Sequence, residues 1–208
     1  MLIDFKGLFA RHNIHPTGIL HCGANTGQET ETYAKLGVKE VVYIEALPDI
    51  FTKLVDHVKD FHGRYTCINT CLSDEDGRDV VFNVASNGGQ SSSLLEFGTH
   101  LKQHPDVKFT GKLKLKTQTL KTVLEQYNLV KKCDLLNLDL QGAELMALKS
   151  LGDYLNDFKW LYLEVNKEHV YKDCPLVEEI EVYVSKFGFK RIETKWEGNW
   201  GDCLMVKQ

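Results

Sequence analysis

Gly18-Ile19-Leu20-His21-Cys22-Gly23-Ala24-Asn25-Thr26-Gly27 is the stretch whose reading decides the fold. Pro16 blocks a helix just before it, the short apolar run reads as a buried strand, and the glycines after it let the backbone turn tightly against a ligand. Working outward, residues 26–36 carry Thr30, Tyr33, Ala34 and Leu36 at helical spacing, with Gly37 as a stop. Residues 40–45 form a second strand. A second helix opens at Pro48, presents Phe51, Leu54, Val55 and Val58 on one face and ends near Gly63. A third strand covers 65–71. Strands alternating with helical crossovers imply a parallel sheet with helices on both faces, the front half of a doubly wound α/β fold.

Residues 78–118 break this rhythm and are read as an insertion beside the active face, with a strand at 79–84, a polar loop at 86–93 and a half-exposed strand at 112–117. Helices are expected at 119–127, 143–151 and 176–187, and strands at 134–139, 160–164, 189–193 and 203–206. An amphipathic segment at 5–12, within residues 1–16, precedes them. The 208 residues are 43% hydrophobic and 26% charged, which suits one globular domain spanning 1–208, either a whole protein or a domain of a larger one. Net charge is −4, and the 25 Lys and Arg are scattered among 29 Asp and Glu, so no nucleic-acid footprint is visible. Six cysteines with no Cys-x-x-Cys pair read as reduced, buried thiols. With neither a leader-like start nor an apolar stretch of spanning length, the expected setting is cytoplasmic.

Ligands of open parallel sheets bind beyond the carboxyl ends of strands. After the first strand, Gly23 to Gly27 lack the third glycine of a dinucleotide fingerprint, and no Gly-Lys-Ser/Thr phosphate loop exists, which favours a cofactor without phosphates. Glu45, ending the second strand, is placed for a ribose diol. At the third strand end Leu72, Ser73 and Asp74 suit an adenine, although residues 73–77 are equally good turn chemistry. Asp139 and Glu164 end strands expected to be neighbours, so two carboxylates meet at the mouth and suit acid/base work, a metal or a cation. Glu144 falls in the first turn of a helix, where the dipole favours it.

Gly23-Ala24-Asn25-Thr26-Gly27, Glu45, the run from Asp139 through Gln141-Gly142-Ala143 to Glu144, and Glu164-Val165-Asn166 together resemble the FkbM-type S-adenosylmethionine-dependent methyltransferases, over most of the chain from about Thr17 onward. The resemblance implies the Rossmann-like class I methyltransferase fold, a mostly parallel seven-stranded sheet with an antiparallel last strand, and O-methylation of a hydroxyl on a sugar, glycan or other natural product. It also implies that Gly23, Ala24, Asn25 and Gly27 wrap the methionine end of S-adenosyl-L-methionine, that Glu45 holds the ribose, and that Asp139 faces the cofactor or the reacting centre. The family commonly has Glu where Gln141 stands within this cofactor motif. The Ser91-Ser92-Ser93 loop matches a serine-bearing region of the family that contributes to the pocket.

An alcohol attacks a sulfonium methyl only as its proton leaves, so a carboxylate or His must lie within reach. Asp139 or Glu164 is the expected base, with His169 as competitor; His169 equally suits an ordinary loop position. Asp139, Glu164 and Asn166 also form an oxygen-rich set of the kind Mg²⁺ takes. The acceptor side is expected from 86–110, 167–175 and 195–202, with Trp196, Trp200, Asn199 and Asp202 as a carbohydrate platform or as rim packing. A NAD-dependent oxidoreductase and a non-catalytic nucleoside-binding domain are the rival classes.

Overall fold

The computed structural model describes residues 2–208. In chain order the elements are α1 (Phe5–His12), β1 (Ile19–Cys22), α2 (Thr30–Lys35), β2 (Glu40–Glu45), α3 (Pro48–Val58), β3 (Arg64–Asn69), β4 (Cys71–Leu72), β5 (Asp79–Ala85), α4 (His100–Gln103), β6 (Phe109–Gln118), α5 (Leu120–Gln126), β7 (Leu135–Leu138), α6 (Glu144–Leu151), β8 (Trp160–Asn166), α7 (Val177–Ser185), β9 (Phe189–Glu197) and β10 (Trp200–Lys207). A 3₁₀ turn at Gly152–Asp157 follows α6. Seven strands form the main sheet in the order β3-β2-β1-β7-β8-β10-β9. All its pairings are parallel except those of β10, which runs antiparallel to both β8 and β9. The mostly parallel seven-stranded sheet with an antiparallel last strand is the one expected from the sequence.

Strand period two sorts the core onto two faces. Leu20, Cys22, Val42, Ile44, Leu136 and Leu138 pack with Leu120, Val123, Leu148, Ile180 and Val184 of α5, α6 and α7. Ile19, Val41, Tyr43, Leu135 and Tyr162 pack with Phe5, Leu8, Leu54 and Val58 of α1 and α3. Each fully buried side chain of this size contributes about 1.5–3 kcal/mol. Asp4 caps α1 by accepting from Lys6 N and Gly7 N.

Three expectations are corrected. The helix after β1 begins at Thr30 rather than at residue 26, because Asn25 (φ 46°) and Gly27 (φ 78°) are left-handed and break the helical path. The third strand leaves the main sheet after Asn69, and Cys71–Leu72 instead joins β6 beside β5 in a second, three-stranded sheet. The closing strands run to Glu197 and Lys207 and turn through Gly198. The second sheet is made mostly of residues from 78–118, and its Leu72 and Phe82 line the same cavity as the strand-end residues Glu45, Asp139 and Glu164 of the main sheet.

Candidate active site

The chain leaves β1 outward to β2 and β3, then returns through β7 on the other flank of β1, so the sheet changes direction between β1 and β7. A cavity of about 290 Å³ opens at the strand ends there, close to the lower end of small-molecule sites at about 300 Å³. Gly23 (φ 77°) makes the turn against β7: an added Cβ would collide with the carbonyl oxygen of Asp139. Its N–H and that of Ala24 donate to Ile44 O at 2.9 and 3.0 Å. Glu45, 7% exposed, accepts from Asn25 N through Oε2 at 2.9 Å and from Leu47 N through Oε1 at 2.8 Å. Burial raises its carboxyl above the usual range. Glu45 thus pins the glycine turn while lining the cavity.

Gly23, Asn25, Glu45, Leu72, Asp139, Gln141 and Glu164 all line this cavity. Ala24, Gly27, Ser73, Asp74 and His169 do not. Ala24 is buried in the core of the α1–α3 face, and Gly27 packs on α3, where a Cβ would meet Leu54 Cδ1 at 2.8 Å. Ser73 donates to Asp74, and Arg78 donates to Ser73 Oγ at 2.6 Å and to Asp74 at 3.3 Å, so these residues close a turn. His169 Nδ1 lies 2.8 Å from Cys174 O in its own loop.

The carboxylate pair meets as its strand register requires. β7 and β8 are parallel neighbours, and Gln141 Nε2 donates to Asp139 Oδ1 at 2.5 Å and to Glu164 Oε2 at 2.9 Å. Tyr171 OH donates to Gln141 Oε1, so the nitrogen side of the amide faces the carboxylates. Burial, then the neighbouring charges of Asp139, Glu144 and Asp202, push Glu164 well above the carboxylate range. Asp139 is also raised, mainly by burial, but hydrogen bonds from Gln141 and Glu164 pull it back. Glu144 is wholly buried and does more than answer a dipole: it accepts from Leu140 N at 2.8 Å and from Gly142 N at 3.1 Å. Burial lifts it to about 7.

Ser91, Ser92 and Ser93 are buried instead of solvated. Ser92 Oγ accepts from Ala85 N at 2.9 Å, Ser93 Oγ donates to Gln141 O at 2.7 Å, and Ser91 Oγ lies 3.1 Å from His100 Nε2. Trp200 and Asp202 line the cavity, but Trp196 packs on the core beneath Lys167 Nζ, 4.2 Å from its ring, and Asn199 is tied to Thr99, so the four do not form one platform. Glu29, Asp202, His21, His100, His104 and Tyr171 join the lining from segments far apart in sequence. Glu29 sits in a turn of ordinary composition and carried no local signal, whereas Asp202 falls in the 195–202 segment expected on the acceptor side. With Glu45, Asp139 and Glu164 they bring five carboxylates to a wall that, among the described residues, contains no Lys or Arg. The Mg²⁺ set of Asp139, Glu164 and Asn166 is not assembled: Asn166 does not line the cavity, the Gln141 amide donates to one oxygen of each carboxylate, and among the described residues no three His, Cys, Asp or Glu side chains group to hold a metal. All six cysteines are free thiols, five of them buried. Among the described residues no helix is long and apolar enough to cross a membrane.

Comparison with known proteins gives three kinds of likeness. Residues 21–191 match the family model described as the methyltransferase FkbM domain. The 2-O-methyltransferase NoeI of Sinorhizobium fredii (strain NBRC 101917 / NGR234) is 23% identical over 195 residues, 90% of this chain and 78% of NoeI. Among solved structures, magnesium protoporphyrin IX methyltransferase from Synechocystis PCC 6803 with bound SAM superposes with a TM-score of 0.55 at 11% identity, covering 98% of this chain and 76% of the other. The ribosomal protein L11 methylase of Lactobacillus delbrueckii subsp. bulgaricus gives 0.53 at 12%, covering 96% and 75%.

Proposed function

The chain belongs to the FkbM methyltransferase family and is an S-adenosylmethionine-dependent methyltransferase, and from that premise we propose that it methylates a hydroxyl oxygen of an uncharged, polyhydroxylated acceptor such as a sugar or glycan. The observation that carries the reading is the cavity wall, which has five carboxylates and no Lys or Arg among the described residues. Even with Glu164 held neutral by burial, such a wall offers the phosphates of a dinucleotide, a nucleotide sugar or a nucleic acid no cationic partner, and its remaining carboxylates favour the sulfonium and ammonium charges of the cofactor. The name of NoeI, a 2-O-methyltransferase, supports oxygen as the target.

The residues present fit the cofactor. Gly23 and Asn25 leave the backbone open at the turn, Glu45 keeps lone pairs free for the ribose after its two backbone bonds, and Ile44, Ala46, Cys71 and Leu72 offer an apolar slot for the adenine. Ser73 and Asp74 would act only through the turn that carries Leu72. When bound, the cofactor supplies an electrophilic methyl on sulfur. Asp139 would take the proton of the acceptor hydroxyl as its oxygen receives the methyl. In-line positioning by Tyr171, Trp200 and the serine loop contributes the rest. His169 plays no part in this reading.

The test is incubation with S-adenosylmethionine and a panel of neutral glycosides, their phosphorylated counterparts and other alcohols, read by mass for one added methyl. Methylation confined to neutral hydroxyl compounds is expected, and Asp139→Asn should lower turnover by about 10²–10⁴-fold while S-adenosylhomocysteine still binds by calorimetry. Full activity in that variant, or preference for phosphorylated acceptors, would overturn the reading.

A further inference from the structure

Gln141 was expected against the cofactor, yet its hydrogen-bonding groups are already committed. Its two amide hydrogens go to Asp139 and Glu164, its amide oxygen accepts from Tyr171, and its carbonyl accepts from Ser93 Oγ at 2.7 Å. The residue is held in the left-handed region at φ 53°, a conformation that costs a non-glycine residue about 1–3 kcal/mol and persists only where the surroundings enforce it. Gly142 beside it packs against Leu95, Tyr171 and Cys174, with an added Cβ 3.0–3.2 Å from all three. The second sheet and the 167–175 loop thus close on this one amide.

Resting on the methyltransferase reading, we propose that Gln141 is a positioning residue that clamps Asp139 and Glu164 into a pair sharing one proton, with Glu164 protonated and Asp139 ionised as the base, while Tyr171 fixes the direction of the amide. Two buried carboxylates in contact cannot both ionise cheaply. Glu164 is the one to keep the proton, since Asp139, Glu144 and Asp202 all bear on it as negative charges, and it can then donate to Asp139. Among the described residues Tyr171 and Glu29 also bear on the pair, and neither is a cation. A proton taken from the acceptor by Asp139 then leaves the pair fully neutral, which the buried setting favours. The Gln141 amide donates to both members and orients their oxygens toward the cavity without adding charge. A Glu at this position would set a third carboxylate against the pair and lack the donors unless protonated.

The experiment measures turnover against pH in the acceptor assay for the native enzyme, Gln141→Ala, Gln141→Glu and Tyr171→Phe, with S-adenosylhomocysteine affinity by calorimetry in parallel. Gln141→Ala should lose about tenfold or more in kcat at every pH with cofactor affinity within about twofold, as expected of misplaced catalytic geometry. Gln141→Glu should be impaired near pH 8 and recover relative to native as pH falls toward about 5.5, because its protonated form donates again. Tyr171→Phe should show a smaller kcat loss, and it decides the matter if the Gln141 variants do not fold. Native-like turnover in Gln141→Ala and Tyr171→Phe, a Gln141→Glu profile parallel to native, or a loss confined to cofactor affinity would overturn the proposal. If the native enzyme methylates no acceptor, the broader reading fails by itself. Carbon-13 carboxyl titration of the native protein still decides the clamp: one of Asp139 and Glu164 titrating well above the other supports it, and two ordinary carboxyls sink it.

Discussion

Gly23 shows how one missing side chain can be required twice. Its φ of 77° suits glycine, and the carbonyl of Asp139 occupies the space a Cβ would need. Gly23→Ala is expected to destabilise the protein by about 1–3 kcal/mol and to weaken S-adenosylhomocysteine binding more than tenfold, read by thermal denaturation and calorimetry. Gly27→Ala should lower stability through its contact with Leu54 while sparing the cofactor more, since Gly27 does not line the cavity. Glu45 is equally legible as a strand-end acid. That it also pins Asn25 and Leu47 follows from backbone geometry that no residue type announces.

Among the elements, the 86–93 loop changes most between sequence and structure. Serine runs read as solvated because the hydroxyl is satisfied by water, but these three are buried by the second sheet and find protein partners instead. Ser93 joins two elements, accepting from Leu95 N and donating to the Gln141 carbonyl. Ser93→Ala should cost about 1–3 kcal/mol by leaving those buried groups unpaired, and it should reduce methyl transfer by loosening Gln141; chemical denaturation and the acceptor assay check the two effects. The break of the third strand at Thr70 is another event of this scale. Residues 65–71 read as one strand in sequence, yet Asn69 ends the pairing with β2 and Cys71–Leu72 pairs with β6.

For the whole molecule, buried titratable groups set a stability window. Glu144 at about 7 sits above its unfolded value, so it contributes most at low pH and its contribution is lost as pH rises from about 4.5 through 7. His21 and His100, lowered by burial to about 3 and about 4, act oppositely: they are neutral when folded, and stability falls as pH drops below about 6.5. Stability should therefore fall below about pH 6.5 as the two histidines charge in the unfolded chain, and Glu144→Gln should raise the melting temperature more at pH 8 than at pH 4.5. A melting temperature that climbs steadily to pH 9 would contradict the assignment of Glu144.

The sheet, its order of alternation and the strand-end acids Glu45, Asp139 and Glu164 were determined by the sequence, because apolar periodicity and glycine turns are local consequences of backbone geometry. Strand adjacency then follows from the right-handed crossover. The tertiary structure alone decided which polar groups face the cavity. It left Ser73, Asp74 and His169 off the cavity wall, brought His21 and Glu29 onto it, picked His100, Tyr171 and Asp202 out of the acceptor-side segments, and tied the Gln141 amide to two carboxylates. The physical reason is that a buried polar group takes whatever partner closes over it. Those partners come from loops and a second sheet whose packing depends on contacts across 50 or more residues, as between Tyr171 and Ser91, 80 positions apart.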